Sequence, residues 1–169
     1  LWGEARVRLA DADYRVRAAA LGCTARHPEC FAGDRLQLER ALGDTDVRVR
    51  TAAVRALAAA GSDATQGLAL ALGDVSGEVR RAAVAALVSR GKAGAAAARQ
   101  RLAPEEAGPC REAALEVLQR IGSRDARGVL VVELRGAVHG AWEALLAIRA
   151  LPERGPLALR FLRTAEGDA

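Results

Sequence analysis

The chain has 169 residues, 51% of them hydrophobic and 27% charged but only 3% aromatic, so one domain can bury a core only by packing Ala, Leu and Val at short helix separations. No apolar stretch approaches the roughly 20 residues needed to cross a bilayer, and no charged-then-apolar leader opens the sequence, which argues against a membrane span or a secretory signal. The formal charge is +4, yet only Lys92 among the 25 basic residues is a lysine and Asn and Met are absent, so the arginine excess reads as GC-rich coding as readily as an anion-binding surface.

In chain order, one phrase recurs. Leu9-Ala10-Asp11 leads to Val16-Arg17-Ala18-Ala19, Leu42-Gly43-Asp44 to Val49-Arg50-Thr51-Ala52, and Leu72-Gly73-Asp74 to Val79-Arg80-Arg81-Ala82. Two weaker copies follow, Leu102-Ala103-Pro104 with Cys110-Arg111-Glu112-Ala113 and Leu134 with Ala141-Trp142-Glu143-Ala144. The arginines are 50−17 = 33, 80−50 = 30 and 111−80 = 31 apart, and Trp142 stands 31 beyond Arg111. A period of about 30 residues marks a solenoid whose units are too small to bury a core alone.

Within each unit the pattern is helical. From Arg50, residues Ala53, Val54 and Leu57 fall at i+3, i+4 and i+7; Arg80 has Ala83, Val84 and Leu87, and Arg111 has Ala114, Leu115 and Leu118. These stripes predict second helices near 14–27, 47–60, 77–90, 109–121 and 139–151, and a C-terminal helix over 156–164. Shorter first helices carry Leu36, Leu38, Ala41 and Leu42, then Leu68, Leu70, Ala71 and Leu72. Pro28, Gly61, Gly91, Gly122 and Pro152 follow the second helices, and Gly43, Gly73 and Pro104 the first, as terminators should. Residues 1–169 therefore read as a single all-α repeat domain, expected to be a piece of a longer chain because it holds no Met.

The phrase Leu-Gly-Asp, Val-Arg, small residues and Ala-Leu resembles the short bacterial HEAT-like repeat of the type found in phycobilisome lyases. The resemblance is strongest over 42–90 and weakest from 126 on. The tetratricopeptide and ankyrin signatures are missing. The resemblance implies a right-handed α-solenoid of four to five helical hairpins. It further implies a ladder in which the turn acids Asp11, Asp44 and Asp74 bond the second-helix arginines Arg17, Arg50, Arg80 and Arg111 across neighbouring repeats. A half-buried arginine needs such acceptors, and its planar fork can bridge two turns.

The repeat register accounts for residues that otherwise suggest chemistry. Cys110 occupies the slot of Val16, Val49 and Val79, and Cys23 that of Ala56, Ala86 and Val117, so both are expected as small core residues. Cys23, His27 and Cys30 have ligand-like spacing, but Pro28 ends the helix between the last two and no fourth ligand is near, so no metal is expected. Three cysteines at irregular spacing, without a leader, predict a reducing cytoplasm. His27 and His139 lie more than three repeats apart. No phosphate loop or nucleophile elbow is present. Glu105-Glu106 and the Asp44/Asp46 pair sit in turns before helices, where they favour the helix N-terminus rather than acid-base work. No catalytic residue and no cofactor are expected.

What remains is surface. The outward slots of successive second helices hold Arg15, Ala18 and Gly22; Arg48, Thr51 and Arg55; Glu78, Arg81 and Ala85; Pro109, Glu112 and Glu116; and Gly140, Glu143 and Ala147. This face, expected to be the concave one of the solenoid, runs from basic to acidic, so Arg15, Arg48, Arg55, Arg81, Glu112, Glu116 and Glu143 are the candidate partner-binding residues. They suit a charged protein segment bound in one polarity, or another domain of the same chain. The family resemblance also raises two alternatives, a DNA-cradling relative of the alkylpurine DNA glycosylases and a bilin lyase subunit. A nucleic acid fits less well, since few cations line the face and only Trp2, Tyr14 and Trp142 could sense an unstacked base. Near the C-terminus, Leu157, Leu159, Phe161 and Leu162 are expected to cap the fifth repeat or to form an interface.

Overall fold

The computed structural model describes residues 2–27, 35–61, 64–102 and 108–122. Cys30, Glu105, Glu106, His139, Trp142, Glu143 and the helices expected at 139–151 and 156–164 lie outside these residues. The described residues are helical throughout, with no strand among them: α1 (Trp2–Arg8), α2 (Tyr14–Arg26), α3 (Arg35–Ala41), α4 (Val47–Ala59), α5 (Thr65–Leu70) extended by a 3₁₀ turn at Ala71–Gly73, α6 (Gly77–Ser89), α7 (Lys92–Gln100) and α8 (Gly108–Ile121). No helix among them is long and apolar enough to cross a membrane.

Short and long helices alternate because the phrase supplies a stop and a start in each unit. Asp13, Asp46 and Ser76 stand in extended backbone before α2, α4 and α6, and their side chains accept the N–H of Arg15, Arg48 and Glu78, satisfying donors that a helix N-terminus leaves unpaired. Just beyond the second helices, Gly61, Gly91 and Gly122 adopt positive φ of 86°, 55° and 60°, which a side chain would strain.

Each short helix packs on the long helix after it: α1 on α2, α3 on α4, α5 with its 3₁₀ turn on α6, and α7 on α8. The long helices then stack in series, α2 on α4, α4 on α6 and α6 on α8. The architecture is an α-solenoid. Its core runs between the two layers and is built from Leu21, Leu38, Leu57, Leu68, Leu72, Leu87 and Leu118 with Val49, Val54, Val79 and Val84, all sealed from solvent, and from interleaved alanines. Small residues let helices approach closely. At Gly94, a Cβ would sit 1.9 Å from the Leu87 carbonyl oxygen, so α7 lies directly against the backbone of α6.

Two first-helix leucines depart from the expected stripe. Leu36 is 64% exposed and Leu70 58%, while Leu38 and Leu68 are buried. Residues two apart on a helix point about 200° apart and cannot share a face, so a helix of one to two turns buries one of each pair. Cys23 also departs. It is half-buried, whereas Ala56 is 2% and Val117 0% exposed in the same slot. No second helix among the described residues stacks on the outer side of α2, so the slot that the interior helices close stays open there. Cys110, at 1% exposure, belongs to the same core cluster as Val79.

Candidate functional site

The arginines of the repeated phrase join one hairpin to the next. Arg17 donates from Nε and Nη2 to the two carboxylate oxygens of Asp44 at 2.7 and 2.9 Å, and Arg50 does the same to Asp74 at 2.7 and 3.0 Å. The other edge of each guanidinium turns back to its own repeat: Nη1 of Arg17 donates to the Asp11 and Ala12 carbonyls, and Nη1 of Arg50 to those of Asp44 and Thr45. The carboxylates complete the pattern. Oδ1 of Asp44 accepts the N–H of Asp46, and Oδ1 of Asp74 that of Ser76. Each fork thus ties the N-terminal turn of one long helix to the turn before the next, in a site where the side chains keep only 15% and 13%, or 12% and 9%, of their exposure. The Arg17 fork holds the Asp44 carboxyl below the ordinary carboxylate range, and Asp44 in turn raises Arg17.

From the third repeat on, the described residues show part of the same pattern. Arg80 keeps the bonds to its own turn, with Nη1 donating to the Asp74 and Val75 carbonyls at 2.8 and 3.0 Å. Arg111 donates to the Leu102 carbonyl at 2.7 Å. Asp11 stands at the other end. Its Oδ1 accepts the N–H of Asp13, and its Oδ2 meets Arg8 at 3.4 Å.

Arg90 is a crosslink that the repeat phrase did not reveal. It follows α6, and its guanidinium reaches back to α4, donating to the carbonyls of Leu57, Ala58 and Gly61 and to Oγ1 of Thr65. A cation at the C-terminus of α4 also meets the negative end of that helix. Burial pulls Arg90 below its usual value. The corresponding positions of the other repeats carry His27, Ala60 and Ile121, so no periodicity marked it.

On the outward face the four predicted arginines divide into two kinds. Arg15 clamps Asp13, with its Nη2 3.0 Å from Oδ2, and Arg48 clamps Asp46 at 2.8 Å. Asp46 is lowered to about 2, chiefly by its bond to Arg48. Both guanidiniums lie over the Tyr14 ring, Arg48 at 3.8 Å and Arg15 at 5.8 Å from its centroid, a cation-π arrangement. Their charge is largely answered within the chain. Arg55 on α4 and Arg81 on α6 are exposed and make no ion pair among the described residues. Ala85, one turn beyond Arg81 on α6, is exposed too, as are Glu112 and Glu116 on α8; Glu116 pairs with Arg120 at 3.4 Å. Thr51 does not belong to this face. It is 2% exposed, because α2 and α6 press on α4 from both sides, and its hydroxyl has no hydrogen-bond partner among the described residues.

Of the residues that suggested metal chemistry, Cys23 and His27 are among the described residues and Cys30 is not. Cys23 is half-buried on α2, His27 is exposed and its backbone N–H closes the helix on the Cys23 and Thr24 carbonyls. Among the described residues no cluster of His, Cys, Asp or Glu could hold a metal ion.

Residues 5–88, which carry the Arg17–Asp44 and Arg50–Asp74 forks, match the family model for HEAT repeats. This is a HEAT-like repeat protein. HEAT repeats generally mediate protein–protein interaction or scaffolding and are generally not enzymes. No curated protein matches the chain. Among solved structures, the crystal structure of an engineered protein from the Northeast Structural Genomics Consortium is similar over 98% of this chain and 85% of that one, with a TM-score of 0.54 and 20% identity. At that identity the likeness concerns the fold alone, and it agrees with the helical solenoid of this HEAT-like protein.

Proposed function

We propose that this HEAT-like repeat protein, of the short bacterial type, is a non-catalytic binding module that takes a charged protein segment on the concave face lined by its second helices. The carrying observation is the pair of exposed guanidiniums of Arg55 and Arg81 on adjacent helices, which make no ion pair among the described residues, followed on α8 by the exposed carboxylates Glu112 and Glu116. A partner running across the helices meets cations first and anions second, so a segment acidic at one end and basic at the other binds in one polarity. Neighbouring helices lie roughly 8–10 Å apart, which places the two charge groups about 10–20 Å from each other. An extended segment covers that span in about three to six residues. Arg15 and Arg48, held by Asp13 and Asp46, border the site, and Glu143 would extend its acidic side.

Duplex DNA is the competing ligand. Binding it with at most four cations would give a salt slope near −3.6, about 0.9 per phosphate, and Glu112 and Glu116 would repel the backbone. Fluorescence anisotropy at about 150 mM salt, well into the screened regime, tests the choice with a labelled peptide of three acidic residues, a short neutral spacer and three basic residues, against random duplex DNA. The peptide should bind, and Arg55→Glu with Arg81→Glu should weaken it about tenfold or more. Peptide binding indifferent to these changes, or DNA binding tighter than the peptide and lost with them, overturns the reading.

A further inference from the structure

Arg55 and Arg81, the exposed arginines that make no ion pair among the described residues, stand on two helices that other arginines tie at both ends. At the N-terminal edge, α4 and α6 are held by the Arg50 fork on Asp74, at 2.7 and 3.0 Å. At the opposite edge, Arg90 reaches from the end of α6 to the end of α4. Its Nη2 donates to the Leu57 and Ala58 carbonyls at 2.8 and 3.2 Å, and its Nη1 to the Gly61 carbonyl and to Oγ1 of Thr65. The same slot holds Ala60 after α4 and Ile121 after α8, which have no side-chain donor. Neither the α2–α4 nor the α6–α8 junction therefore receives this second tie from that slot.

The consequence is mechanical. With 13 residues, α4 is roughly 20 Å long, so ties at its two ends resist both sliding and pivoting against α6. Between them Val54, Leu57, Val84 and Leu87 are sealed in the common core. The stems of Arg55 and Arg81 are thereby fixed relative to each other. Arg55 lies five residues beyond Arg50 and Arg81 one beyond Arg80, a difference of four residues, or about 6 Å along the helix. Combined with roughly 8–10 Å between neighbouring axes, this sets the stems about 10–12 Å apart on a diagonal. The other diagonal carries no charge: Ala85 is exposed and Thr51 buried.

Resting on the charged-face reading above, we propose that this pair is a fixed-gauge receptor for two carboxylates three residues apart, Asp/Glu-x-x-Asp/Glu, in the acidic end of the partner segment, and that Arg90 is the positioning residue that holds the gauge. A polyproline-II chain rises about 3.1 Å per residue with three residues per turn, so side chains three apart share one face at about 9 Å. Carboxylates one apart fall short of the stems, and those six apart overshoot at about 19 Å. A pre-set spacing favours the matched segment because little ordering cost is left to offset its two charge-assisted contacts.

The test is fluorescence anisotropy with the full chain at about 150 mM salt. Three labelled peptides share one basic end and one composition and place two glutamates one, three or six residues apart. The three-residue spacing should bind about tenfold tighter than the other two. Arg90→Ala should narrow that preference to less than about threefold, whereas a role in stability alone would change all three affinities by the same factor. Arg90→Lys keeps a cation at the end of α4 but not the planar fork. It should lose part of the preference, and with circular dichroism confirming its fold it carries the test if Arg90→Ala unfolds. Equal binding of the three peptides, still abolished by Arg55→Glu with Arg81→Glu, overturns the gauge and leaves the charged-face reading standing. A preference unchanged in both Arg90 variants overturns the positioning role. Absence of binding by all three peptides overturns the charged-face reading and the gauge with it.

Discussion

Replacing Arg50 with Ala is the most direct test of what holds the repeats together. The change removes four hydrogen bonds: two to the Asp74 carboxylate at 2.7 and 3.0 Å and two to the Asp44 and Thr45 carbonyls at 2.9 and 3.2 Å. It leaves Asp74, 9% exposed, with the Ser76 N–H at 2.7 Å as its remaining partner. A solvent-exposed ion pair contributes about 0–1 kcal/mol and breaking a fully buried one costs about 3–5 kcal/mol; with the Arg50 side chain 12% exposed, the expected cost is about 3 kcal/mol. Arg80→Ala is the internal comparison. It removes the bonds to the Asp74 and Val75 carbonyls, worth about 1–2 kcal/mol together, with no stranded carboxylate among the described residues. Arg50→Lys retains the charge but not the fork and should recover less than half of the loss. Urea unfolding followed by far-ultraviolet circular dichroism measures all three. The Arg50→Ala transition should also broaden, because a weakened junction uncouples neighbouring repeats. A loss below about 0.5 kcal/mol for Arg50→Ala, the scale of an ordinary surface substitution, or one no larger than that of Arg80→Ala, refutes the reasoning.

Acid should act through the same ladder. The Arg17 fork depresses the Asp44 carboxyl below its ordinary value of 3.8, so its contribution is fully present above that value and lost as pH falls through the lower folded one; thermal melts in acid should show Asp44→Asn losing less stability below pH 3.8 than the unaltered protein, and an equal loss would count against the pairing. Gly94→Ala places a Cβ 1.9 Å from the Leu87 carbonyl and should cost about 3 kcal/mol or more by prying α7 from α6. Gly22→Ala, with nothing within 4 Å of the new atom, should stabilise α2 by about 0.5–1 kcal/mol, and the two melting temperatures must move in opposite directions. Arg90→Ala strips a donor from four acceptors at the α4–α5 connection and should cost about 2 kcal/mol, with faster amide exchange at Gly61 and Thr65; a melt unchanged by this substitution would show that the crosslink contributes nothing.

The recurrence of Asp44 and Arg50, Asp74 and Arg80 at about 30-residue intervals carried the helical period and the solenoid architecture in the sequence alone. It could do so because each repeat meets only its neighbours, so a local pattern repeated in series already contains the nearest-neighbour contacts. The same logic made Cys110 legible as a core residue, since Val49 and Val79 share its slot. What lacked a repeat was silent. Arg90 has no periodic counterpart, and its target is a set of backbone carbonyls, which leave no trace in side-chain identity.

Charge on the outer face was legible as composition but not as availability. Arg15, Arg48, Arg55 and Arg81 look alike in a string of letters, and only tertiary geometry separates the two closed on Asp13 and Asp46 from the two left open. The burial of Thr51 and the outward turn of Leu36 and Leu70 were likewise decided by which helices press from either side. Periodicity in the chain determined which residues repeat; the three-dimensional stack determined which copies are satisfied, because satisfaction is a property of neighbours and not of sequence.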